Sequence, residues 1–201
     1  MRYKYITIER EYGSGGTEIA RRVAEGCGIP CYGREILEFV AKEYNIAVEE
    51  IDRYEETVTN SLLYTFFVLG RVQSGESDML AKEGHIFVAE QAAITKLASY
   101  GPAIFVGHCA SEALKEKHQV LHVFIKSNTA DKKARIMEEY HIPEEKVETA
   151  MRRFDKKRSN YYYANTARKW TDNENYDLVL DSGKLGLDGC VAAIKGVFKD
   201  K

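Results

Sequence analysis

Nothing in this sequence arranges cysteines for a metal centre or a disulfide scaffold. Its four cysteines, Cys27, Cys31, Cys109 and Cys190, form no C-x-x-C pair. The Cys27-Gly-Ile-Pro-Cys31 spacing has no histidine nearby to complete a zinc set. They read as reduced structural thiols, which suits a cytoplasmic protein. Positive charge is not in surplus either: Lys plus Arg number 29 against 31 Asp plus Glu, for a net charge of -2. A generic nucleic-acid binder draws its affinity from excess positive charge, so that class is set aside. An anionic ligand must be met by a local cluster. Long hydrophobic runs are missing as well. Leu62-Leu-Tyr-Thr-Phe-Phe-Val-Leu69 falls far short of the ~20 residues that cross a bilayer, and no membrane partner is expected. Met1-Arg-Tyr-Lys-Tyr5 runs straight into strand-like sequence, so no signal peptide is expected. Internal repeats and low-complexity linkers are absent.

What is present is an ordinary globular chain. Its 201 residues are 44% hydrophobic and 30% charged, which excludes a disordered chain and suits one domain. A domain of this size buries about 70% of its extended-chain surface, so it folds without staples.

Strand and helix patterns alternate along it. Tyr3–Ile8 is β-prone with Ile6 and Ile8 on one face, and a glycine cluster, Tyr12-Gly-Ser-Gly-Gly-Thr17, follows. Ile19, Ala20, Val23, Ala24 and Cys27 then recur with helical period, with Gly26 and Gly28 available to end the helix. Ala103–Val106, Val120–Ile125 and Tyr176–Leu180 are further strand candidates. Helices are expected over Phe87–Leu97, over Thr129–Tyr140 behind a Ser127 or Asn128 cap, and from Pro143 into the basic stretch near Arg158. A last helix carries Leu187, Val191, Ile194 and Val197 on one face. Alternation of this kind predicts an α/β fold, a parallel sheet covered on both sides. Two regions break the rhythm. Residues 40–80 read as an insertion of helix and loop, and residues 152–170 as a polar, tyrosine-rich mobile cover.

The strand, glycine loop and helix carry the chemistry. Backbone N–H groups of such a loop converge on one centre, and the helix dipole adds partial positive charge there. Glycine lets the chain curl without Cβ clashes. Gly13, Ser14, Gly15, Gly16 and Thr17 are therefore the candidate phosphate site, the alternative being a tight turn with no ligand. A valine at position 15 is expected to fill the anion's space.

Ile6-Thr-Ile-Glu-Arg-Glu-Tyr-Gly-Ser-Gly-Gly-Thr-Glu-Ile-Ala20 resembles the start of the cytidylate kinase-like family, a divergent branch of P-loop nucleoside monophosphate kinases. Pro30-Cys-Tyr-Gly-Arg-Glu-Ile-Leu37, Ala103-Ile-Phe-Val-Gly-His108 and His122-Val-Phe-Ile-Lys126 fit the same family in order. So do Asp155-Lys-Lys-Arg-Ser-Asn-Tyr-Tyr162 and Tyr176-Asp-Leu-Val-Leu-Asp-Ser182. The resemblance implies a three-layer P-loop NTPase fold with a five-stranded parallel sheet. It also implies a helical monophosphate-binding insertion near 38–98 and an arginine-bearing lid near 150–171. The activity it implies is transfer of the ATP γ-phosphoryl group to CMP or dCMP with Mg²⁺, the metal held by Thr17.

Several positions depart from the family's pattern. Laid on G-x-x-x-x-G-K-S/T, the loop has Arg10 at the first Gly, Gly15 at the second, Gly16 at the Lys and Thr17 at the Ser/Thr position. The missing ammonium normally neutralises charge at the β- and γ-phosphates. Arg10 is the nearest cation able to replace it, since a guanidinium forks well onto phosphate. Members usually carry Arg after the glycine of Val106-Gly-His108. Here His108 either meets the monophosphate as a cation or simply closes the strand. Gly33 stands where an Asp is usual, while Arg34 remains to reach an acceptor phosphate.

In Met151-Arg-Arg-Phe-Asp-Lys-Lys-Arg158, Arg152, Lys156 and Arg153 lie about one turn apart, so cations can share a face. Asp155 and Arg158 match the family's D-x-x-R lid, which implies catalytic charge from Arg152 and Arg158. Tyr161, Tyr162, Tyr163 and Trp170 read as core anchors before base-stacking groups. The 62–69 run reads as the buried side of the insertion or a homodimer contact. Glu9 and Glu11 are candidates to orient Mg²⁺ through water. Covalent catalysis has no constellation to support it, and phosphoryl transfer needs none. The leading expectation is a kinase acting on nucleotide substrates. The alternatives are a non-catalytic nucleotide sensor and a P-loop kinase with another small-molecule acceptor.

Overall fold

The computed structural model of the chain describes residues 3–44 and 77–199. The 62–69 run and most of the expected 40–80 insertion lie outside the described residues. Five parallel strands form one sheet: β1 (Tyr5–Arg10), β2 (Cys31–Tyr32), β3 (Ala103–Val106), β4 (Val120–Lys126) and β5 (Leu178–Asp181). Their order is β2-β3-β1-β4-β5. The first strand is thus central, with Ile6 opposite Ile104 on one side and Leu121 on the other. A central parallel strand is covered on both faces, and Tyr5 to Glu9 are all buried.

Seven α-helices are described: α1 (Gly16–Cys27), α2 (Glu35–Tyr44), α3 (Ser77–Ser99), α4 (Ala110–Ala113), α5 (Thr129–Tyr140), α6 (Glu144–Thr166) and α7 (Ser182–Lys199). On one face of the sheet α1 and α7 pack Ile19, Val23, Ile194 and Phe198 against Ile6, Ile8 and Ile104. On the other, α2, α3 and α6 bring Ile36, Val40, Ile94, Tyr161 and Tyr162 against Tyr5 and Phe105. Each such fully buried aliphatic or aromatic side chain contributes about 1.5–3 kcal/mol. A third, small cluster of Tyr12, Ile136, Val147 and Met151 ties the glycine loop to α5 and α6.

The layered α/β fold read from the sequence is the observed one, with local corrections. β1 runs two residues further than expected, which carries Glu9 and Arg10 onto the sheet's C-terminal edge. β2 was not visible as a strand in the sequence, because two residues after Pro30 are too short to show alternation. β5 spans Leu178–Asp181, later than the expected Tyr176–Leu180. The helix expected over Phe87–Leu97 extends over Ser77–Ser99. Gly28, left-handed at φ 66°, ends α1 while Gly26 stays inside it. Asn128 caps α5 by accepting from the Asp131 amide. Pro143 is the residue before α6, not its first. The residues expected as a cover, 152–170, continue α6 to Thr166 without a break. Tyr161, Tyr162 and Trp170 are buried in the core, and Tyr163 is exposed. All four cysteines are free thiols.

Candidate active site

The site forms where β1 and β3 end and the loop after β1 turns into α1. Gly13 and Gly15 adopt left-handed backbone at φ 76° and 75°, which an L side chain rarely tolerates. Ser14 is fully buried and acts as a strut within the loop. Its amide and its hydroxyl both donate to the Glu11 carbonyl, at 3.2 and 2.8 Å. Its own carbonyl accepts from Ser182 Oγ at 2.7 Å, which pins the loop to the start of α7. Thr17 is exposed on the first turn of α1. A Cβ on Gly15 would meet Leu187 Cδ2 at 2.6 Å and the Arg135 guanidinium at 3.3 Å. A side chain at position 15 therefore collides with α7 and α5, where the sequence reading had it filling the anion's space.

Cations approach this loop from two helices. From α5, Arg135 Nη1 donates to the Gly13 carbonyl at 2.5 Å. Lys132, one turn earlier, is buried with its Nζ 3.0 Å from Glu11 Oε2 and 3.9 Å from Asp155 Oδ2. From α6, Asp155 Oδ1 accepts from the Tyr12 amide at 2.6 Å. Burial raises the Asp155 carboxyl above its ordinary value, against the lowering effects of the Tyr12 N–H, Lys132 and Arg158. Arg158 Nη1 donates to the Arg10 carbonyl at 2.9 Å, and its guanidinium lies 5.7 Å over the Tyr12 ring. Burial, then the neighbouring charge of Arg10, pushes Arg158 down to about 10, against the pull of Asp155, Glu9 and Tyr140.

Beyond Arg10 and Arg158 lies a cavity of about 270 Å³. Arg10, Arg34, His108, Lys157 and Arg158 all line it. A smaller hollow of about 30 Å³ lies over Gly13, Gly15, Gly16 and Thr17. Arg10 and Arg158 border both spaces. The turn that carries His108 is left-handed at three successive residues, Gly107 (φ 77°), His108 (φ 55°) and Cys109 (φ 50°). Such backbone is costly for non-glycine residues and recurs where ligands are held. His108 Nδ1 faces the fully buried Glu90 Oε1 at 3.7 Å, and Tyr161 donates its hydroxyl to the same carboxylate. Gln91 Nε2 holds the His108 carbonyl at 3.1 Å. Glu9, on the cavity wall, accepts from Trp170 Nε1 at 3.0 Å.

The fold therefore assembles Arg10, Arg34, His108 and Arg158 with the residues 13–17 loop. It does not bring Arg152 there: that side chain is 75% exposed and pairs with Glu148 Oε1 at 2.8 Å on the outer face of α6. Arg153 and Lys156 are likewise on exposed positions of that helix. Glu11 faces Lys132 and the Ser127 amide, within the framework under the loop. Sequence reasoning missed Lys132, Arg135, Lys157 and Glu90. The i,i+3 pair of cations just after β4 was the readable signal for the first two. Glu90, one residue among helical neighbours, had none.

The match to the cytidylate kinase-like family spans residues 5–184. No curated protein matches the sequence. Among solved structures, an uncharacterized protein from Eubacterium ventriosum ATCC 27560 superposes at TM-score 0.72 with 25% identity, over 98% of this chain and 99% of that one. Shikimate kinase from Bacteroides thetaiotaomicron superposes at 0.52 with 10% identity, over 98% of each chain. Shikimate kinase from Acinetobacter baumannii, in complex with shikimate, gives 0.52 with 14% identity over 97% of this chain and 92% of that one. The last two likenesses bear on the fold, that of P-loop kinases. The chain belongs to the cytidylate kinase-like family, and family and fold together support a phosphotransferase.

Proposed function

From that membership we propose that the protein transfers the γ-phosphoryl group of ATP to the phosphate of CMP or dCMP. The observation that carries the reading is the shared border: Arg10 and Arg158 stand between a glycine loop and a cation-lined cavity. Donor and acceptor anions placed in the two spaces would meet at those guanidinium groups. Phosphoryl transfer asks the protein mainly for position and charge, and this arrangement supplies both.

In this scheme the loop from Gly13 to Thr17 presents backbone N–H groups to the donor phosphates, with Ser14 keeping the loop's shape. Arg158 stabilises charge on the group in transfer. Arg34 and His108 face the acceptor. Arg152, on the outer face, has no role. Among the described residues no group of three or more His, Cys, Asp or Glu forms a cage for a metal ion. Thr17, an exposed residue with a hydroxyl, suits Mg²⁺, which takes one or two protein ligands together with substrate phosphates. When bound, Mg²⁺ neutralises charge on the phosphate oxygens.

A panel of nucleoside monophosphates with ATP and Mg²⁺, read by ADP release and by thermal shift, tests the reading. ADP release with CMP or dCMP well above the ATP-only background is expected. A flat result across the panel, in protein shown to bind ATP, would overturn it and leave two readings, a nucleotide sensor and a kinase with another small-molecule acceptor.

A further inference from the structure

Two glycines bracket the side chain of Arg10. A Cβ on Gly16 would lie 2.5 Å from Arg10 Cβ, 2.9 Å from Arg10 Cγ and 3.3 Å from Ile125 Cβ. A Cβ on Gly107 would overlap Arg10 Nη1. The side chain thus leaves the end of β1, passes over the first residue of α1, and delivers its guanidinium beside the left-handed turn that holds His108. The contact at Gly16 involves the stem of Arg10, fixed to the backbone, so a change of rotamer cannot relieve it.

Position 16 is where the P-loop pattern has its lysine, and position 10 is where it has its first glycine. We propose that the two positions have exchanged side chains. The loop's cation comes from the end of β1, Gly16 is glycine because the arginine stem fills that space, and the cation meets the acceptor's anion.

This rests on the phosphotransferase reading and assigns Arg10 to the acceptor side of its site. In the P-loop pattern the lysine reaches the donor's β- and γ-phosphates. Here the guanidinium sits at the junction with the larger cavity, and the donor's β-phosphate is left to loop amides. Arg10 Nε is buried and, among the described residues, has no hydrogen-bond partner. Arg158 stands beside it with a like charge. Two adjacent guanidinium groups, one with an unmet donor, favour a dianionic phosphate monoester over an uncharged hydroxyl acceptor.

The experiment compares Gly16→Ala, Arg10→Gly, the double variant Gly16→Ala/Arg10→Gly and the double variant Arg10→Gly/Gly16→Lys in the full chain. Thermal unfolding is read first, then calorimetric binding of ATP·Mg²⁺, CMP and inorganic phosphate. Phosphate alone reports the anion site whatever base the acceptor carries. Gly16→Ala should lower Tm by about 5 °C, and removing the arginine stem in the double variant should restore most of that loss. Arg10→Gly should weaken CMP and phosphate about tenfold or more, and ATP·Mg²⁺ by less than about threefold. Arg10→Gly/Gly16→Lys should fold and bind ATP·Mg²⁺ more tightly than Arg10→Gly, with CMP still weak. Strictly additive Tm losses would overturn the exchange. ATP weakened as much as CMP in Arg10→Gly would overturn the acceptor-side role. If the wild type bound neither nucleotide, the phosphotransferase reading would fail, while the Tm comparison would still decide the exchange.

Discussion

The glycine loop and the cavity beyond it solve the problem of holding phosphate in different ways. The loop is small and closed on itself. Ser14, Gly13, Tyr12 and Glu11 are each tied by hydrogen bonds to α7, α5, α6 or the loop's own backbone. Its chemistry is main-chain N–H and helix dipole, which need shape more than charge. The cavity is wider and is lined by side-chain cations, with a strained turn on one wall. Its chemistry is charge carried on long side chains. A backbone cradle is broken by changing its curvature. A cationic cavity is broken by removing one charge at a time.

That contrast orders the expected effects of mutation. Arg158→Ala should have the largest, because this residue borders both spaces. On the order of 3 kcal/mol of transition-state stabilisation should be lost, about a hundredfold in kcat, with a smaller change in CMP binding. Steady-state kinetics across CMP concentrations check this, and a variant with wild-type kcat would remove Arg158 from the chemistry.

Gly15→Val should act through the backbone. Left-handed backbone at φ 75° and the collision with Leu187 together should cost about 2 kcal/mol of stability and most ATP affinity. Denaturant melts and ATP titration measure the two losses side by side. Wild-type ATP affinity in the folded variant would contradict the cradle.

Arg34→Ala tests the cavity without touching the loop. KM for the acceptor should rise about tenfold, roughly 1.4 kcal/mol, while ATP affinity holds. Parallel loss of ATP affinity would show that the two regions are not separable in this way.

Asp155→Asn probes the joint between α6 and the loop. The wild-type carboxyl is raised by burial, so the folded state holds its proton more tightly than the unfolded chain does. Its contribution is most favourable below the unfolded value near 3.8 and declines as pH rises through the folded value. Wild type should therefore gain stability relative to the asparagine variant as pH is lowered from 7 toward 4. Tm measured on both proteins across that range should show the gap moving in that direction. The smallest effect belongs to Arg152→Ala. An exposed i,i+4 pair contributes less than about 0.5 kcal/mol, and kcat should stay within about twofold of wild type. A hundredfold fall would instead require α6 to carry Arg152 inward during turnover.

Much of the framework is legible along the chain. Ile6 and Ile8 announce a buried strand, three glycines in four positions announce the turn, and Ile19 to Cys27 announce the amphipathic helix. These are local patterns of period two and period 3.6, and local patterns survive in one dimension. The stretch 152–170 shows where a local pattern carries less. Charge, tyrosine and tryptophan crowd together there in sequence, and the helix divides them by face. Arg152 goes outward to Glu148, and Asp155 and Arg158 go inward to Tyr12 and Arg10. A cluster in sequence is not a cluster in space when successive residues are turned about 100° from each other.

The α/β alternation, the glycine loop and the supply of cations are written along the chain, because each rests on neighbouring residues. Which cations share a space is set by folding in three dimensions. Arg10 at the end of β1, Arg34 in the turn before α2, His108 in the turn after β3 and Arg158 on α6 meet because the parallel sheet ends β1 and β3 side by side, with α2 and α6 over that edge. The absence of lysine at position 16 has the same kind of cause. Its reason is the stem of Arg10, six residues earlier in the chain but 2.5 Å away from any Cβ placed there. Excluded volume acts through space, and no spacing along the chain records it.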